Sequence, residues 1–403
     1  MPLRPSRPLV SIDEARRILH EAAVPIARTE SLSLAHLHGR VLAKTLVADH
    51  DVPPFARSAM DGYAVLASDV ASASADAPVT LRLMDTVYTG SVPAETLVRG
   101  TCIGIATGAP IPPGADAVVM VESTTREHDR VRIAEAVDPG TNINPRGTDL
   151  RAGAPVVVEG SLLTPARIGA IAAAGHAEAV VFARPRVAIV VTGDEVVAPG
   201  QPLGGAQVHD ANTAALVAAV REHGGEPVPR PIVRDDPAAI RAAFAAALHE
   251  DLVLISGGSS VGERDYILDI LGERGDVRFA GIAVKPGKPT VFATVDRRPV
   301  FGMPGNPSSC LSNAYLLVGP MLRQVARLPP APRRTVTASL ARRVASPRGR
   351  HQFYTVRIVD GVAHPAFKGS GDITSMANAD GYFEIDERTE VVEAGTSVEV
   401  VLF

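Results

Sequence analysis

The chain has no tryptophan, and phenylalanine and tyrosine bring the aromatics to only 4% of 403 residues. Its cores are therefore expected to be aliphatic. Only Cys102 and Cys310 are present, which excludes a disulfide framework and points to a reducing compartment. No run approaches the ~20 apolar residues of a membrane span. The opening segment, MPLRPSRPLV, lacks an apolar signal core. A soluble, cytoplasmic protein is expected. Charge of one sign is not in excess: 40 Lys and Arg face 44 Asp and Glu, a net charge of -4. That balance argues against nucleic acid or a membrane surface as a partner for the whole chain.

What is abundant is apolar residues, glycine and proline. The hydrophobic fraction of 46% is enough for several cores. At roughly 100–200 residues per domain the length implies about two to four domains. The 35 Gly and 33 Pro follow no period, so they mark turns rather than a fibrous repeat.

A helix is predicted from Ser11, where Ser11 and Glu14 form a capping-box pair and Ile12, Ala15, Ile18 and Leu19 share one face. Segments from Val79 to Val137 read as short strands between turns, a small β-rich domain. Thr164 and Pro165 open a second helix that Gly175 closes. From Arg184 to Leu328 apolar strands alternate with helices, which implies an α/β domain with a parallel sheet. Beyond the linker LPPAPRR, strands recur at short intervals to the end. They read as a small β-domain of the barrel or sandwich type.

In an open parallel sheet, ligands bind beyond the carboxyl ends of the strands. Three loops are expected there. Thr192-Gly193-Asp194-Glu195 follows VAIVV, Ser256-Gly257-Gly258-Ser259-Ser260 follows LVLI, and Met303-Pro304-Gly305-Asn306-Pro307 follows PVFG. The second suits a phosphate cradle, because glycines let backbone N–H groups approach an anion. A plain glycine-rich turn is the alternative. The third is stiff, and a tight strand-to-helix turn capped by Ser308 or Ser309 is its structural reading. Lys285-Pro286-Gly287-Lys288-Pro289 presents two positive charges on a proline-pinned loop, suited to an anion unless the lysines are merely solvated. Asp236 reads as a helix cap, which leaves Asp235 spare. Asp235 and Asp265 together would suit a divalent metal, with salt bridges to Arg234 or Arg264 as the competing use. Asp61, in an Asp-Gly turn, and Asp149, in a polar loop, have structural roles by default. Six arginines and no acid lie between Arg333 and Arg350, either a solvated face or an attractor of small anions.

SAMDGYAV, TGAPIPPGADAVVMVE, NINPRGTDLRAG, VTGDE, SGGSSVGERDY, VKPGKPT and GMPGNPSS occur in this order in one chain. Together they resemble the molybdopterin molybdenumtransferase family, which includes MoeA and the gephyrin E domain, from about Ser11 to Phe403. The resemblance implies a multidomain α/β plus β fold. A central MoaB/MogA-like parallel-sheet domain (184–328) would bind molybdopterin. A β-rich domain (47–140) would be inserted in a discontinuous first domain (1–46 and 141–183). A barrel-like domain (329–403) would close the chain. It implies a homodimer whose cleft combines the α/β domain of one subunit with other domains of its partner. It also implies contacts with the molybdopterin adenylyltransferase and apo-molybdoenzymes. The implied reaction inserts molybdate into adenylylated molybdopterin and releases AMP in a Mg²⁺-dependent step.

By motif, the resemblance marks Asp61, Asp149, Glu195, Asp235 and Asp265 as catalytic, the last two also as metal ligands. It marks Thr107, Lys285, Lys288, Pro304, Pro307 and Ser370 as substrate-binding, and the reading of the loops and of the arginine before the last domain's aromatic adds Gly257, Gly258, Ser259, Asn306 and Arg350 to that set. Two positions depart from the family pattern. Gly281 stands where some relatives carry a lysine. Thr355 stands where the last domain usually has an arginine, with Arg350 and Arg357 on either side. Neither cysteine is placed for catalysis. Two other readings are kept: an adenylyltransferase-like activity on molybdopterin, and a non-catalytic scaffold or cofactor-delivery paralogue.

Overall fold

The computed structural model describes residues 8–257, 266–369 and 371–403. The chain forms two compact units, Met1–Glu30 with Phe182–Phe403, and Ser31–Val181.

Helix α1 (Ile12–Ala22) begins as expected, with the Ser11 hydroxyl accepting from Glu14 N at 3.1 Å. Only half of the capping box forms, because the Glu14 carboxylate turns to Arg17 instead. Ile12, Ala15, Ile18 and Leu19 are buried in one core with Leu216, Phe292 and Leu322. Residues 1–30 thus cluster with 182–403, whereas the sequence reading joined 1–46 to 141–183. The apolar face of α1 needs a partner surface, and the α/β layer supplies it.

In the 31–181 unit, six strands form one sheet: β1 (Gly62–Val65), β2 (Val79–Val87), β3 (Thr101–Ile105), β4 (Ala117–Met120), β5 (Thr124–Glu127) and β6 (Arg130–Ile133). Their order is β4-β1-β3-β2-β6-β5. Alternation along the strands fills both faces. Tyr63, Val65, Cys102 and Val119 lie in one core, and Ala64, Ile103, Ile105 and Val118 in the other. Helix α2 (Pro165–Ala173), capped by Thr164, packs Ile171 on a separate cluster with Leu37, Leu42 and Leu163.

The other unit is built on β7 (Arg186–Val191), α3 (Asn212–Glu222), β8 (Glu226–Pro229), α4 (Pro237–Ala247), β9 (Leu252–Ser256), α5 (Tyr266–Arg274), β10 (Asp276–Ala280), β11 (Val284–Lys285), β12 (Val291–Val295) and β13 (Arg298–Met303). The sheet order is β8-β7-β9-β13-β12-β10. The first four strands are parallel, but β12 is antiparallel to both β13 and β10, so the sheet is mixed. The reason is local: β12 and β13 are joined by Asp296 and Arg297, both at positive φ, which makes a two-residue hairpin instead of a crossover. One face packs on α1, α3 and the helix from Pro307 to Val325, the other on α4 and α5. That long helix comprises α6 (Pro307–Asn313), a π turn (Ala314–Val318) and α7 (Gly319–Val325). The π turn precedes Pro320, which has no N–H to give a carbonyl four residues back.

At the amino end of this sheet the charges pair. Glu250 accepts from Arg186 at 2.7 Å and from Arg230 at 2.8 Å, Arg186 also meets Glu226 at 3.0 Å, and Arg28 grips Asp251 at 2.6 and 2.9 Å.

The chain ends in a closed barrel of five strands: β14 (Thr335–Leu340), β15 (His351–Val359), β16 (Val362–Pro365), β17 (Gly381–Ile385) and β18 (Ser397–Leu402). The circuit runs β15-β16-β14-β18-β17 and back to β15. Tyr354, Val356, Phe383 and Val400 fill it. On the outside, Phe353 stacks on Tyr382 at 3.9 Å and joins the α/β core. Strand β11 runs parallel to β15, pairing Val284 with His351 and Lys285 with Gln352. Among the described residues no helix is long and apolar enough to cross a membrane.

Candidate functional site

The expected site residues fall in both units, and each group is described by itself. In the 31–181 unit, Asp61 sits in the turn before β1. Its carboxylate accepts from the Thr107 amide at 2.7 Å and the Thr107 hydroxyl at 3.0 Å. These bonds hold the Asp61 carboxyl below the usual range, so it stays ionised at neutral pH. The two residues, which the sequence placed in separate motifs, are thus one constellation. The buried Ser58 donates its N–H to Ala109 O at 2.9 Å, and its carbonyl accepts from Gly108 N at 2.8 Å. Gly62 is required: a Cβ there would lie 1.9 Å from Val119 O.

The polar loop 142–149 joins the same group through pairing of Ile143 with Ser58 and Asn144 with Arg57. Asp51 shapes this loop, accepting from Ala152 N at 2.9 Å and Arg146 Nε at 2.6 Å, which also lowers its own titration. Asp149 is exposed at the loop's end, its N–H donated to Val52 O at 3.0 Å.

In the other unit, the loops after β7, β9 and β13 stand at the carboxyl end of the parallel strands. The loop 281–290 joins them there, because β12 starts opposite Gly302 near the end of β13. Glu195 and Asp235 are exposed on neighbouring loops. Arg234, one of the two expected competitors for Asp235, pairs with Asp194 at 3.6 Å, and Asp194 also accepts from Asp235 N at 3.3 Å; Arg264, the other, lies outside the described residues. Asp236 caps α4 through Ala239 N at 2.8 Å. Gly257, at φ +103, lies against Thr192, where a Cβ would meet Thr192 O at 2.2 Å. Gly258, Ser259, Asp265 and Ser370 lie outside the described residues.

Pro304 is buried, Gly305 and Asn306 are exposed, and Pro307 opens α6. Asn306, not Ser308 or Ser309, occupies the cap position; the serines are buried, and Ser308 donates to Gly369 O at 3.1 Å. Sequence reading missed what ties these loops together. The buried Asn212 amide donates to Ser256 Oγ and to Gly305 O, each at 2.8 Å, and Ser256 donates to Pro304 O at 3.2 Å. An asparagine opening an otherwise aliphatic helix was the available signal.

Lys285 is half-buried, its Nζ 6.0 Å from the Phe367 ring centroid, and Lys288 is exposed. Between them Gly287, at φ +108, has its carbonyl held by Thr290 and Asn313. The departure at Gly281 has a physical reason: at φ +109, a Cβ there would lie 2.7 Å from Leu9, so a lysine would strain the backbone. Thr355 is 1% exposed, so that position presents no charge; Arg357 is exposed and Arg350 half-buried. The basic strip is partly spent on ion pairs: Arg333 with Glu384, Arg343 with Glu393 and Arg348 with Glu390. Burial pushes both cysteine thiols up to about 12, which excludes thiolate chemistry at neutral pH.

Among the described residues no group of three or more His, Cys, Asp or Glu converges as a closed metal site. A Mg²⁺ held mainly by substrate phosphates needs only one or two protein carboxylates. The exposed Asp235 fits that smaller demand.

The fold is that of a multidomain α/β plus β protein, with Lys285 and Lys288 on one loop at the carboxyl end of its parallel strands. Three family models cover it in sequence: the MoeA N-terminal region (domain I and II) at residues 10–175, a probable molybdopterin binding domain at 188–324, and the MoeA C-terminal region (domain IV) at 337–403. The chain is 36% identical to molybdopterin molybdenumtransferase 2 of Mycobacterium tuberculosis, over 97% of this chain and 98% of that protein. It is 32% identical to the molybdopterin molybdenumtransferase of Bacillus subtilis, over 98% and 94% respectively. The crystal structure of a molybdopterin biosynthesis MoeA protein from Pyrococcus horikosii superposes with a TM-score of 0.84 at 36% identity, covering 98% of this chain and 99% of that one. The chain belongs to the MoeA family of molybdopterin molybdenumtransferases, and its role lies in molybdenum cofactor biosynthesis.

Proposed function

We propose that this enzyme inserts molybdate into adenylylated molybdopterin and releases AMP. The observation that carries the reading is the loop with Lys285 and Lys288, fixed beside the Pro304–Pro307 loop at the carboxyl end of the sheet. Molybdate is a dianion and the substrate carries a pyrophosphate, so both need positive charge set in place before they arrive. Lys285 and Lys288 supply that charge. Gly257 and the loop it opens supply backbone amides, and Pro304, Asn306 and Pro307 shape the wall. Arg350, just before β15, adds a third cation.

Asp235 would hold a Mg²⁺, together with Asp265, and the ion when bound polarises the phosphoanhydride. Glu195, Asp61 with Thr107, and Asp149 orient polar groups of the substrate. Ser370 completes the binding set from the barrel domain. The chain contributes positioning and electrostatics, not a covalent nucleophile.

We also infer a cytoplasmic homodimer of four-domain subunits, with contacts to the adenylyltransferase and to apo-molybdoenzymes. Light scattering should then give twice the 42.1 kDa of the chain. The activity is tested with purified protein, adenylylated molybdopterin, molybdate and Mg²⁺. AMP release with formation of active cofactor is expected; no AMP above background overturns the reading.

A further inference from the structure

Gly287 stands between the two lysines, and its carbonyl oxygen accepts three hydrogen bonds. They come from Asn313 Nδ2 at 2.8 Å, Thr290 Oγ1 at 3.0 Å and Thr290 N at 3.3 Å. The second amide hydrogen of Asn313 goes to Thr290 Oγ1 at 2.5 Å. Both side chains are wholly buried. A Cβ on Gly287 would lie 2.3 Å from Asn313 Nδ2, so loop and amide fit without slack.

Asn313 ends α6, the helix that begins at Pro307. One rigid element therefore starts at one loop of the site and holds another. The residue is costly for stability alone. It is wholly buried, and its Oδ1 has no hydrogen-bond partner. A buried polar atom left unpaired is destabilising, and an apolar side chain of the same shape avoids that penalty.

We propose that Asn313 is a positioning residue: by clamping the Gly287 carbonyl it fixes where Lys285 and Lys288 present their charges. It touches no substrate itself. The inference rests on the reading of these lysines as the molybdate-binding pair.

The test uses the full chain with Asn313→Leu, Thr290→Val, Lys285→Ala, Lys288→Ala and the Asn313→Leu/Lys288→Ala double variant. Three quantities are measured: molybdate binding by calorimetry, kcat and KM for molybdate, and the thermal midpoint. Asn313→Leu is expected to weaken molybdate binding about tenfold, with kcat within about threefold and the midpoint unchanged or raised. Thr290→Val should act in the same direction by about threefold. The double variant should lose less than the sum of the two single losses, because one of the two lysines that the clamp positions is already gone.

Wild-type molybdate binding in a folded Asn313→Leu protein overturns the proposal, and so does a fully additive loss in the double variant. If Asn313→Leu does not fold, Thr290→Val alone and combined with Lys288→Ala decides by the same criteria. If neither lysine variant alters molybdate binding, the lysine reading has failed and takes the clamp with it. A loss in the lysine variants alone refutes the clamp and leaves the reading of the site standing.

Discussion

At the amino end of the α/β sheet, Arg186, Arg230, Glu226 and Glu250 satisfy one another. At the carboxyl end, Lys285, Lys288, Glu195 and Asp235 form no ion pair with one another among the described residues. The amino end spends its charge on holding strands together. The carboxyl end leaves charge available and fixes its loops with neutral groups instead: Asn212 to Gly305, Ser256 to Pro304, Asn313 to Gly287. A buried amide can position a lysine without cancelling it, which a carboxylate cannot do.

The contrast can be broken from either end. The Lys285→Ala/Lys288→Ala double variant is expected to lower kcat/KM for molybdate on the order of a thousandfold, since donors aimed at developing charge are each worth up to that much. Steady-state kinetics checks this, and a loss under tenfold would mean that the carboxyl end does not work as described. Glu250→Ala strips two arginines of their shared acceptor. A fully buried pair costs several kcal/mol to break, but Arg186 is half-exposed, so about 2 kcal/mol is expected. Denaturant unfolding should show that loss while KM for molybdate stays at its wild-type value.

A third variant tests an acid outside both ends. Glu384 on β17 is pushed up by burial, but His351 and Arg16 outweigh that and hold its carboxyl at about 2. Its contribution is complete above the ordinary glutamate range. It is lost as pH falls from there towards 2. Glu384→Gln should therefore flatten the acid limb of the stability–pH curve and leave the limb above neutrality unchanged. The smallest effect separates two neighbours. Asp236→Ala removes a helix cap, about 1 kcal/mol in unfolding, with turnover intact. Asp235→Asn should spare stability and lower turnover.

How far the sequence alone reaches follows from range. The caps at Ser11, Thr164 and Asp236 and the helices they open were legible, because each signal lies within one turn of chain. The strand-to-loop order that places Glu195, Gly257 and Pro304 was legible for the same reason. The reversal of β12 was not: it depends on two positive-φ residues of types that rarely advertise them. The pairing of Asp61 with Thr107 was not either, since 46 residues separate the partners. Asn212 and Asn313 drew no reading from the sequence, because their partners at Gly305 and Gly287 lie 93 and 26 residues away. Likewise, nothing local shows that the strand carrying Lys285 pairs with a barrel strand 67 residues further on.

That last pairing has a consequence for synthesis. A ribosome completes the elements from β7 to α7, Arg186 to Val325, before any barrel strand has been made. Until β15 emerges, the short strand Val284–Lys285 has an open edge with no neighbour to read its register. The strand that carries Lys285 therefore gains this partner only once β15 has been made. A chain stopped at the proline linker would keep both lysines and still lack the backbone against which one of them is set.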